Sequence, residues 1–193
     1  ALYGFAFFLK PDFDRDDDDE RADNFLDALK IAVEFGNERA SYLFGYIYTI
    51  GFHVEKNDVM ALVYLKYSAD KRYPPAMLML ANRLRVIVNK GISKEDLKDL
   101  KKKAKEILND TGGYNTRTNG LRIIAKSLFE TIKDPKLTDF VSRAYYKKVV
   151  DYDKSSDKEK EIAQNNLDKL ADEEYLDDFS TEEYSRLFKT FKW

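Results

Sequence analysis

Residues 40–76, ASYLFGYIYTIGFHVEKNDVMALVYLKYSADKRYPPA, decide the fold. Ala40, Leu43, Phe44, Ile47 and Tyr48 recur at spacings of three and four, the signature of an amphipathic helix. Gly45 stands inside that run. A mid-helix glycine costs about 1 kcal/mol relative to alanine, so this one reads as a point where a second helix approaches closely. Gly51 comes just after the last turn, where a glycine commonly ends a helix. Asn57 is an N-cap for a second helix, whose Ala61, Tyr64, Leu65, Ser68 and Ala69 share one face. Small residues on one helix then oppose large ones on the other, as interlocking antiparallel helices require. The stretch is one helix-turn-helix unit, and weaker copies of it can be laid on both sides.

The order Ala40, Phe44, Gly45, Tyr48, Gly51, Val54, Ala61, Tyr64, Ser68 and Ala69 resembles the Sel-one-like repeat (SLR), a relative of the tetratricopeptide repeat (TPR). Phe44 replaces the family's leucine and Ser68 the first alanine of its Ala-Ala pair, while Phe52 and His53 stand where it usually has a second glycine. The resemblance implies an all-α fold: a right-handed α/α solenoid of about five antiparallel helix pairs in a single helical-repeat domain, residues 1–193. Clear units are expected over about 1–91 and divergent pairs over 92–193. It also implies a family that organises protein complexes, with little catalysis.

Working outward, Ala1, Phe5, Ala6 and Leu9 fall on Ala40, Phe44, Gly45 and Tyr48, with the acidic stretch Asp12 to Glu20 replacing the turn. A helix over about Arg21 to Phe35 carries Phe25, Leu29, Ala32 and Val33 and is closed by Gly36-Asn37. On the other side Pro74 and Pro75 open a helix with Ala76, Leu80, Ala81 and Leu84 in register, and Lys90-Gly91 stops it. Ser93 with Asp96 caps a charged helix from about Lys94 to Asn109. Asp110 to Asn119 reads as a loop. Gly120, Ile124, Ala125 and Leu128 restore the register, and Asp134-Pro135 opens the next helix. Ser156 with Glu159 and Ser180 with Glu183 have capping-box spacing. The expectation is ten helices in five pairs. The chain opens on Ala1 inside an apolar helical pattern, which suggests a processed form or a fragment of a longer protein.

Composition narrows the chemistry. Acidic residues outnumber basic ones, 35 to 33, which gives no global attraction to nucleic acid or anionic membrane. There is no cysteine, so thiolate metal sites and a cysteine nucleophile are excluded; a reducing compartment is favoured and the endoplasmic reticulum lumen left open. No apolar run approaches the roughly 20 residues of a membrane span. His53 is the sole histidine, and no serine and carboxylate are framed with it as a triad, so no enzyme activity is expected. DFDRDDDDE, residues 12–20, begins like a calcium loop but has Asp17 where the glycine belongs and Asp23 where the bidentate glutamate belongs. Thr111-Gly112-Gly113 lacks the ending of a phosphate loop, and Lys101, Lys102, Lys103 and Lys105 read as a solvated helix face. No metal or cofactor is expected.

In TPR-like stacks the first helices of successive pairs line a concave surface, where partners are held. Transferred by position, that surface consists of Arg39, Tyr42, Tyr46 and Thr49, then Leu78, Asn82 and Arg85, then Asn119, Arg122 and Lys126. These residues are basic, amide-bearing and aromatic, suited to a protein or peptide with acidic side chains or a free C-terminus. The expected function is a non-catalytic interaction scaffold or adaptor. The alternative is a structural subunit permanently buried in a large multiprotein or ribonucleoprotein assembly, for which the C-terminal Phe188, Phe191 and Trp193 would provide contact.

Overall fold

A computed structural model describes residues 19–91, 93–95, 97–98, 101–102 and 116–171, with side chains described from 22 and, in the later part, from 124. Every regular element among them is helical: α1 Asp19–Glu34, α2 Glu38–Ile50, α3 Asp58–Asp70, α4 Pro74–Lys90, α5 Thr116–Ile132, α6 Pro135–Asp151 and α7 Asp157–Ala171. Residues 94–95, 97–98 and 101–102 are also helical. The first and last helices expected from the sequence, with the acidic residues 12–18, Thr111-Gly112-Gly113 and Ser180 with Glu183, lie outside the described residues.

Local chemistry sets most of the helix ends. Asn37 Oδ1 accepts from the N–H of Ala40 at 2.9 Å, and Asn57 Oδ1 from those of Val59 and Met60, both at 3.1 Å. Asp134 takes the N–H groups of Lys136 and Leu137, just ahead of a proline that has no N–H to satisfy. Ser156 and Glu159 form the reciprocal capping box, with the Ser156 N–H and hydroxyl on Glu159 Oε2 at 2.7 and 2.8 Å. Gly51 ends α2 with φ +77° and donates to Ile47. Two boundaries differ from expectation. α1 begins inside the acidic stretch, at Asp19, and α5 begins at Thr116, so residues 116–119, which read as loop, are helical. Thr and Asn cost a helix only a few tenths of a kcal/mol each, so Thr116, Thr118 and Asn119 are tolerated in the first turn of α5.

Gly45 is the close-approach point that its position predicts. A Cβ there would stand 2.8 Å from Leu65 Cγ and 3.1 Å from the Ala61 carbonyl oxygen of α3. The sequence of α3 is apolar on nearly every side, and the helix is correspondingly central. Its Tyr64 packs into a core of Phe25, Ala28, Leu29, Ala32, Ala40, Phe44 and Ile47 from α1 and α2. Its Leu62, Val63, Leu65 and Ala69 belong to a second core shared with α4, α5, α6 and α7. Around that second core α3, α4, α6 and α5 close a ring, each packed on two of the others, and α7 reaches both α6 and α4.

Candidate partner-binding face

α2 carries the first part of the expected face. Arg39 and Tyr46 are exposed and Tyr42 and Thr49 half-buried. The spacing of seven from Arg39 to Tyr46 places them on one stripe two turns apart. Tyr42 leans edge-on against Tyr73, ring centroids 5.4 Å apart. Thr49 donates back to the Gly45 carbonyl at 2.9 Å, a bond internal to the helix.

On α4 the expected exposure fails. Leu78 is buried, and Arg85, at 9% exposure, is bonded to Asp139 of α6. Asn82 is exposed, but its amide oxygen accepts from the Tyr146 hydroxyl at 2.6 Å. The reason is that α6 lies along this side of α4 and joins it in one of the two most extensive helix contacts in the molecule. Arg85 therefore already has, within the chain, the carboxylate that the sequence reading assigned to a partner. On α5, Lys126 is exposed, while the side chains of Asn119 and Arg122 lie outside the described residues.

The buried polar groups were not foreseen. Asp139 is only 3% exposed and accepts from Arg85 on one oxygen and from Arg143 Nε on the other, at 2.7 Å. Arg143 also donates to the Leu170 carbonyl of α7, so one carboxylate and two guanidinium groups tie α4, α6 and α7 together. The only sequence signal was the i,i+4 spacing of Asp139 and Arg143, which occurs as often on exposed helix faces. Burial raises the Tyr146 hydroxyl to about 12, against the opposing pull of Arg85.

His53 is exposed in the α2–α3 turn at φ +47°, edge-on to Phe52 at 4.4 Å. Among the described residues no group of three or more His, Asp or Glu side chains is arranged to hold a metal ion, and no helix is long and apolar enough to cross a membrane. An apolar crevice between α3 and α5, lined by Val59, Val63, Leu128 and Ile132, has about 10 Å³ of free space, room for one water. Small-molecule sites run to roughly 300–1,000 Å³. Comparison of the chain with family models, with curated proteins and with solved structures returned no match.

Proposed function

We propose that this protein is a non-catalytic interaction scaffold that holds a segment of a partner protein against the outer stripe of α2. The observation that carries the reading is the exposure of Arg39 and Tyr46 on one helix face, with Lys126 as a further exposed cation on α5. Tyrosine gives large contact area with little rotamer entropy to lose, and arginine gives a bidentate fork for carboxylates. The partner segment on this reading is acidic or ends in a free carboxylate.

The same reading treats α1 to α4 as SLR-type units. Its support is the 36-residue offset that places Gly36-Asn37 on Arg72-Tyr73 and Ala40 on Ala76, each pair at a helix-to-helix joint. A regular solenoid of five antiparallel pairs is the extension of that proposal over the rest of the chain.

Charge reversal tests the scaffold. In a pull-down from the native source, Arg39→Glu is expected to lose the partner that the unaltered protein retains, with thermal stability unchanged. Lys126→Glu measures how far the face extends towards α5. Retention of the same partner by both variants would remove the α2 face from consideration. The second reading, a subunit buried in a large assembly, is favoured by the exposed Ile31 on α1 and Phe35 just after it, at 42% and 68%. Its mark is co-purification in fixed stoichiometry that survives high salt, since apolar contacts are not screened.

A further inference from the structure

On α4, Asn82, Val86 and Asn89 follow one another at spacings of four and three, which puts them on one face of the helix. All three are exposed, Val86 at 44%. Both asparagine carboxamides are held from behind. The Tyr146 hydroxyl of α6 donates to Asn82 Oδ1 at 2.6 Å, and Arg85 Nη2 donates to Asn89 Oδ1 at 3.4 Å. A guanidinium can only donate, so the oxygen of Asn89, not its NH2, is the atom turned towards it. Each carboxamide thus has its acceptor engaged by the protein, while neither Nδ2 bonds to another described residue. The 36-residue offset places Asn82 and Val86 on Tyr46 and Ile50 of α2, which are also exposed, whereas Ala40 with Ala76, and Phe44 with Leu80, are buried in both helices. The same positions stay open in both units.

What this pair can bind follows from its donors and their spacing. Two NH2 groups whose oxygens are occupied call for a ligand with hydrogen-bond acceptors. Seven residues of helix separate them by about 10.5 Å, further than a single carboxylate or phosphate spans. Main-chain carbonyls of one segment meet that requirement best in one conformation. A β-strand turns every second carbonyl to the same side, at about 6.8 Å and then about 13.6 Å. An α-helix has already bonded its carbonyls internally. A polyproline II helix turns every third carbonyl to the same side, at about 9.3 Å, and leaves it unpaired. The remaining difference of about 1 Å is within the swing of two asparagine side chains.

We propose that Asn82 and Asn89 form a binding site for a partner segment in polyproline II conformation, donating to main-chain carbonyls three residues apart, with Val86 against the apolar side chain or ring between them. The site offers donors only, so a proline, which lacks an N–H, forfeits nothing in it. Proline also sets the segment in its bound shape beforehand, which lowers the ordering cost of association. No residue of α2 takes part, so the site stands or fails independently of the scaffold reading.

The test follows the asparagine side-chain NH2 signals of the full chain by NMR during titration with a capped oligoproline peptide, and with a capped glycine-serine peptide of equal length. Saturable shifts at both carboxamides are expected with oligoproline, and binding about tenfold or more weaker with the flexible peptide. Asn82→Asp and Asn89→Asp keep an oxygen for Tyr146 and Arg85 but present a second oxygen where the NH2 stood. Each is expected to weaken oligoproline binding about tenfold or more while the thermal midpoint holds, which separates lost binding from lost folding. Arg39→Glu is expected to bind oligoproline as the unaltered protein does, so the α2 face and this site are read apart. Absence of saturable shifts at the two carboxamides, equal affinity for the flexible peptide, or unchanged affinity in both aspartate variants overturns the proposal.

Discussion

Gly45 shows how a single missing methyl sets the spacing of two helices. In an isolated helix, Gly45→Ala would be stabilising by about 1 kcal/mol through propensity alone. Here the new Cβ meets Leu65 Cγ at 2.8 Å and the Ala61 backbone oxygen at 3.1 Å, and neither is the end of a flexible chain. Overpacking of this kind costs about 1–3 kcal/mol, so the variant is expected to be less stable on balance, as urea unfolding at constant m will show. That glycine was legible because it stands inside an apolar helical run, where only a close neighbour explains it, and Asn57, Asp134 and Gly51 were legible because each acts through its own chain neighbours. Arg85 was not. Its burial depends on α6, and the register of α4 says which side chains leave its own repeat stripe but not whether another helix covers them. The exposure of Arg39 and Tyr46 was readable because both fall off the apolar stripe of α2. The junction of Lys66 and Asp70 with Tyr145 was hidden because no spacing rule joins the end of α3 to α6.

At the scale of the element, α6 is the piece that departs most from expectation. Phe140, Val141, Tyr145 and Val149 form its apolar stripe, but Asp139, Ser142 and Arg143 are buried with it. The helix is enclosed on more sides than its sequence alone suggests, and its polar residues are tolerated because each finds a partner. Ser142 bonds the Asp139 carbonyl at 2.7 Å, and Thr138 bonds the Thr131 carbonyl at 2.8 Å. Removing the charge on Asp139 leaves Arg85 and Arg143 without their shared carboxylate in a dry site. Asp139→Asn is expected to cost about 3–5 kcal/mol in chemical denaturation. Arg85→Glu places two carboxylates together and is expected to prevent folding, so it is a poor probe of partner binding.

For the whole molecule, alkaline pH separates two opposing groups. Lys148 falls from 10.5 to about 8, so between those values the unfolded chain binds more protons and stability rises with pH. Tyr48, Tyr64, Tyr145 and Tyr146 are all raised above 10.0, foremost by burial. Above pH 10 the unfolded chain loses those protons first, and stability falls. The thermal midpoint is therefore expected to climb gently from pH 8 towards 10 and then drop steeply. Lys148→Met should flatten the climb and leave the drop. A scan showing no rise in the unaltered protein would contradict the placement of Lys148.

The position of α3, with Tyr64 in one core and Leu65 in the other, bears on how the protein comes apart. A wall common to two rooms cannot be taken down for one of them alone. The α1–α2 end and the α4–α7 end are therefore expected to melt as one cooperative unit, not as the independent repeats of a long array. Native-state hydrogen exchange in dilute denaturant reads this directly. The amides of Leu65 and Ala69 should be the last to exchange, at the free energy of global unfolding, and separate exchange isotherms for the two ends would show that the wall does not bind them.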